Sequence, residues 1–249
     1  PKPSSAASDV YKRQIMIARR MDETRSQELE HLKRELENFQ DIARHLVPLP
    51  GEIPRLRGID VWGGLMPLNG TVGGDHITYV DFKQRFDLKA RIARASADGR
   101  PDLVERLTRC QHMAGIAVID VSGHRTTDAL MAAMLHQAFL LGAIYELDSF
   151  GRITRRLFEN LNTRFYQSSG MHKYVSVIYG EIAEDATFRF LSAGAPAPIV
   201  FSARHDRFME VDEDLRLTFP PLGMMPSFDV IDRSTTTSVL GFKEGYEMN

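Results

Sequence analysis

Cysteine and tryptophan are almost absent from this 249-residue chain, with one of each, and neither sign of charge prevails: 31 Lys and Arg stand against 33 Asp and Glu, a formal net charge of −2. A lone cysteine, Cys110, excludes an internal disulfide and leaves no cysteine cluster for zinc, which suits a reducing cytoplasm. The balanced charge offers nucleic acid and anionic membrane surfaces no electrostatic hold, so neither is expected as a partner. No apolar run approaches the length that spans a bilayer, and the opening PKPSSAASDVYKRQ lacks the apolar core of a signal peptide, so a soluble cytoplasmic chain is expected. What is present is ordinary globular material, 43% hydrophobic and 26% charged. That is enough for one domain of about 200 residues and an appendage.

Residues 1–14 are rich in Pro, Ser and Ala and are expected to be disordered or foreign to the native protein. Over 15–47 the pattern is helical, and Leu29, Leu32, Leu36, Phe39, Ala43 and Leu46 recur at alternating steps of three and four, an a/d stripe among charged neighbours. Such a helix ahead of a globular body is expected to pair with a second copy, a parallel homodimer through 15–47. Pro48, Pro50, Gly51 and Pro54 end it and open a domain over 48–249. Strands are predicted over 58–62 and 76–82, flanking a glycine-rich loop at 70–75. The polar stretch 83–113 reads as an insertion with one helical piece near 101–110.

The centre of the chain is AGIAVIDVSGHRTTDALMAAML, residues 114–135. Ile116 to Ile119 read as a buried strand that stops on Asp120. Val121 to His124 make a turn, and a helix follows Thr126 or Thr127, buried on most of its circumference. A second helix is predicted over 149–166 with Ile153, Leu157, Phe158, Leu161 and Phe165 inward. Strands over 174–182, 187–193 and 198–201 form a meander. Others follow at 207–211, 228–231 and 235–240, with a rigid Pro220–Pro221–Leu222–Gly223–Met224 loop between. Met131, Met134, Met224 and Met225 read as core filler. Strands, two central helices, then strands is an α+β order.

Two carboxylates sit beside glycine at strand edges: Asp75 after Gly73–Gly74, and Asp120 before Val121–Ser122–Gly123. Oxygen ligands of this kind suit Mg²⁺ or Mn²⁺, and glycine lets a phosphate or a bridging water approach the backbone. His124 and Arg125 are candidate phosphate contacts, with Gly74 and Gly123 beside them. His112, His136, His172 and His205 show no metal spacing.

Read in order, VGGD at 72–75, DVSGH at 120–124 with its Ala/Met-rich helix, KYVSVIYGEI, FRFLSAGAPAPIVF and PPLGM at 220–224 resemble the SpoIIE/RsbU-type branch of the PPM metal-dependent serine/threonine phosphatases. The resemblance covers residue 46 to the end. It implies a PPM-type antiparallel β-sandwich flanked by helices, preceded here by the coiled-coil-like helix. It implies Asp75 as a metal ligand, Asp120 bridging two Mn²⁺ or Mg²⁺ ions, and the Val121 carbonyl as a further ligand. A water between ions about 3.5–4 Å apart would then hydrolyse phosphoserine or phosphothreonine. The implied substrate is a STAS-type anti-anti-sigma protein, and upstream sensory domains would act through the helix.

The chain departs from that pattern at His76–Ile77–Thr78 after Asp75, at Arg125 and at Ala195. A Thr-Asp-Gly strand end is not among these residues, which implies at least one missing carboxylate and weak or no activity for the chain alone. The rival from another class is a non-catalytic dimeric scaffold. A nucleotide cyclase, suggested by Gly-Gly-Asp, leaves Asp120 and its helix without a role.

Overall fold

A computed structural model describes residues 5–44, 52–66, 73–123, 126–168, 173–210, 218–227 and 246–248. The chain divides into two units, Pro1–Arg44 and His45–Asn249.

The first unit is one helix, α1 (Ser5–Arg44). It starts well ahead of residue 15 because SAASDVYKRQ contains neither Gly nor Pro and is mostly tolerable or good helix formers. Leu29, Leu32, Leu36 and Ile42 stand exposed along it.

The second unit is built on an antiparallel sheet. Its strands are β1 (Asp75–Asp81), β2 (Met113–Val121), β3 (Val175–Ala183) and β4 (Phe188–Ala193), paired in that order. The far edge of β4 carries β7 (Thr218–Phe219) in parallel and β8 (Tyr246–Met248) antiparallel. The segment after β4 does not continue the meander. Pro196 and Pro198 withhold ladder donors, and β5 (Val200–Ser202) pairs instead with β6 (Arg207–Met209) in a separate two-stranded sheet. The α+β antiparallel class with a leading helix is therefore the observed one.

Alternation along β2 fixes the two faces: Ala117, Ile119 and Val121 are buried, whereas Val118 and Asp120 are exposed. The buried face is covered by α5 (Thr126–Phe150) and α6 (Arg155–Ser168). Leu135, Phe139, Ala143 and Leu147 from α5 meet Leu157, Phe158, Leu161 and Phe165 from α6 over Val177 and Tyr179. Phe139, Phe158 and Tyr179 form a triangle with centroids 5.4 to 6.1 Å apart, the large-ring packing that dominates core energetics.

Several expectations are corrected. Residues 58–62 form no strand; a single Leu56–Ile59 bridge closes a tight turn there. Residues 83–113 carry three α-helices, α2 (Phe82–Arg85), α3 (Leu88–Ala97) and α4 (Pro101–Arg109), and a 3-10 turn at Cys110–His112, so Phe82 leaves the strand for a helix. The missed signals were caps: Asp81 accepts from Gln84 N at 3.1 Å and Asp87 from Ala90 N at 3.0 Å. Ser149 belongs to α5, and the chain breaks at Gly151 before α6. Met131 packs on the core, but Met134, Met224 and Met225 are exposed. α5 is also less enclosed than expected, with Leu130, Met134, Leu141 and Tyr145 outward. Its stretch Asp128–Phe150 is long and apolar enough, by length and composition, to cross a membrane, where no such run was expected. Here one side of it is seated on the sheet. The predicted strands at 228–231 and 235–240 and the 45–51 junction lie outside the described residues.

Candidate active site

Antiparallel pairing of β1 with β2 sets Asp75 directly opposite Asp120. Val121 N donates to the Gly74 carbonyl at 3.2 Å, so Gly74 and Val121 are the hydrogen-bonded pair and the two acids the non-bonded one. In that geometry Cα atoms stand about 4.5 Å apart and side chains lie close. Both acids are exposed and point away from α5 and α6. Like charges directly opposite weaken a ladder by up to about 1 kcal/mol, and a cation between them reverses the sign.

The backbone at this corner is tight. A Cβ on Gly74 would stand 2.7 Å from the Val121 carbonyl oxygen and 3.1 Å from that of Gly123, so only glycine permits this approach. The Val121 carbonyl therefore lies at the same strand end as the two acids. Two carboxylates and a carbonyl are hard oxygen donors that fit Mg²⁺ or Mn²⁺. Among the described residues no group of three or more His, Cys, Asp and Glu could hold a metal.

The turn after Asp120 is held by the residues leading into β3. Ser122 N donates to the Tyr174 carbonyl at 3.0 Å, and Tyr174 N donates to Ser122 Oγ at 3.1 Å. Lys173 Nζ donates to the Ser122 carbonyl at 2.8 Å and pairs with Asp128, a fully buried carboxylate in the first turn of α5.

The 220–224 loop joins the same end. Leu222 exchanges two backbone hydrogen bonds with Val175, 2.9 and 2.8 Å. Buried Asn162 of α6 accepts from Gly223 N at 2.7 Å and donates to Met225 O and Ser227 Oγ. Gly194 N donates to Phe219 O at 2.7 Å, which brings the Ala-Gly-Ala segment to the strands beside it. Segments far apart in sequence thus gather at one end of the sheet.

Behind β1, His136 Nδ1 of α5 lies 2.8 Å from both His76 Nε2 and Thr78 Oγ1. Burial lowers His76 to about 4, with His136 adding to the effect, and burial also lowers His136 to about 4, helped by the Arg85 charge. Lys173, Asp128 and Asn162 were not singled out by sequence reasoning, and His136 was named only as showing no metal spacing. Asp128, an acid immediately ahead of the apolar run 129–135, was the one visible signal, and nothing in the sequence named its partner. His124, Arg125 and His172 lie outside the described residues.

Comparison with known families matches residues 111–239 to SpoIIE, stage II sporulation protein E. The chain belongs to the SpoIIE family. The match starts two residues ahead of β2 and includes Asp120; Asp75 precedes it. Membership in the SpoIIE family points to a phosphatase role, and phosphatases of this kind typically use divalent metals. Among solved structures, the RsbU and RsbW domains of Rv1364c from Mycobacterium tuberculosis are similar at 16% identity and a TM-score of 0.42, over 63% of this chain and 34% of that one. The match thus spans about a third of the chain in that structure. No curated protein matches.

Proposed function

We propose that this SpoIIE-family chain is a metal-dependent phosphatase that hydrolyses phosphoserine or phosphothreonine on a partner signalling protein of the STAS type. The observation that carries the reading is the cross-strand pairing of Asp75 with Asp120 beside the Val121 carbonyl. Asp75 and Asp120 would hold Mn²⁺ or Mg²⁺, with Asp120 shared between two ions, and the Val121 carbonyl would add a further oxygen ligand. When bound, such ions supply an acidified water and neutralise charge on a phosphoryl group. The protein's own part is to keep two carboxylates adjacent, which the ladder does through backbone hydrogen bonds. Gly74, Gly123, His124 and Arg125 are the proposed surroundings of the phosphate. α1 would pair with a second copy and pass on the state of a sensory domain in the cytoplasm.

The alternative is a dimeric scaffold of the same fold that binds its phosphoprotein without turnover. It draws on the absence of a third acidic ligand among the described residues. Release of phosphate from a phosphoserine STAS-domain protein, with and without Mn²⁺, separates the two. The phosphatase reading expects Mn²⁺-dependent release, slow if a ligand is missing, and a loss of about 10²-fold or more in Asp75→Ala or Asp120→Ala. Tight binding without release in any metal supports the scaffold.

A further inference from the structure

We propose that the Lys173–Asp128 ion pair is a clamp that sets the shape of the Val121–Ser122–Gly123 turn, making Lys173 and Asp128 positioning residues for the candidate site. The consequence for metal rests on the reading of Asp120 and the Val121 carbonyl as ligands; the clamp itself does not.

Asp128 is fully buried, and a carboxylate taken out of water is tolerated only beside a compensating charge. Lys173 supplies one from the residue pair that precedes β3, and the same ammonium donates to the Ser122 carbonyl at 2.8 Å. One cation therefore ties the turn, the start of α5 and the approach to β3 together.

The turn is shaped around the pair. Gly123 has φ +122, a backbone conformation that side-chain-bearing residues avoid. A Cβ there would run into the Asp128 carboxylate and stand 2.7 Å from Lys173 Nζ. The backbone conformation thus calls for glycine here, and the ion pair packs directly against its Cα. From the other side the 220–224 loop closes in, since a Cβ on Gly223 would stand 3.3 Å from the Lys173 carbonyl. Lys173 commits its ammonium to the turn and to Asp128. If the ammonium is removed, the two bonds between Ser122 and Tyr174 keep the turn near β3, but the Ser122 carbonyl loses its charged donor and the turn is free to tilt. Residues that orient metal ligands in this way are typically worth about 10–100-fold in metal affinity.

The test compares the chain with Lys173→Met, Lys173→Arg and the charge-free pair Lys173→Met/Asp128→Leu, which keeps the buried position neutral in case the single variant does not fold. Two quantities are read: amide hydrogen exchange across β2 and its turn, and binding of Mn²⁺ alone by titration calorimetry. The clamp predicts that exchange at Ser122 and Gly123 rises about tenfold or more in the Met variants while Ile116–Ile119 keep their protection. It predicts Mn²⁺ affinity lower by about tenfold or more, with partial recovery in Lys173→Arg. Unchanged exchange at the turn overturns the clamp, as does a rise shared equally by the whole of β2. A loosened turn with unchanged Mn²⁺ affinity overturns the positioning role. A parent chain that binds no Mn²⁺ refutes the metal reading of Asp75 and Asp120 and leaves the exchange data to decide the clamp.

Discussion

Single side chains in this protein carry charge in places that their neighbours in sequence do not explain. The meeting of Asp75 and Asp120 was foreshadowed because each lies at the edge of an apolar run close to glycine. Asp128 and Lys173 were not, since an ion pair between a helix start and a strand approach exists only after the chain has folded. The same holds for His76 and His136, which meet between β1 and α5 with ring centroids 4.7 Å apart. Their titration makes a prediction. The unfolded chain takes up protons near pH 6.5, whereas the folded chain refuses them until about 4. Between those values the unfolded state holds more protons, so stability is full above pH 6.5, falls as pH drops and levels off below about 4. A ring kept neutral in this way removes on the order of 3 kcal/mol of stability at the acid end. Thermal melts from pH 7.5 to 4 should show a falling Tm, and His76→Phe/His136→Leu should flatten that slope relative to the parent. An unchanged slope in the double variant would assign the acid sensitivity to other groups.

Among the elements, those with a clear period were readable from sequence and those defined by partners were not. The strand, turn and helix over 114–135 were legible because the apolar run is β-branched and the helix after it is nearly all apolar. The inward residues of α6 were named correctly, since Leu157, Phe158, Leu161 and Phe165 are all buried, as is Ile153 just ahead of the helix. α3 was missed because charged side chains mask its periodicity; its Asp87 cap was the better guide. β5 was placed in the wrong sheet because pairing is decided by which edge is open, and β7 takes the place beside β4. For α1, the exposed Leu29, Leu32 and Leu36 support the proposed pairing with a second copy. Leu32→Asp/Leu36→Asp should convert a dimer to a monomer in light-scattering mass measurements while α1 keeps its helical circular dichroism. A parent chain that is already monomeric would remove α1 from the signalling account.

At the scale of the whole molecule, the sheet acts as a frame with its two faces assigned different work. One face carries α5, α6 and the aromatic triangle, and supplies the apolar burial that orders the strands. The other carries the acids at the end where the turn after β2, the approach to β3 and the 220–224 loop converge. A carboxylate pair placed directly across a ladder is an electrostatic cost to a protein that binds no cation, and a binding site to one that does. The central claim is therefore about metal, and it is tested most directly by titrating the chain with Mn²⁺ and following binding by calorimetry, beside Asp75→Asn and Asp120→Asn. The account predicts saturable binding in the parent, weakened by about tenfold or more in each variant, with both variants as well folded as the parent. Equal Mn²⁺ affinity in all three, or no binding in the parent at neutral pH, would contradict it.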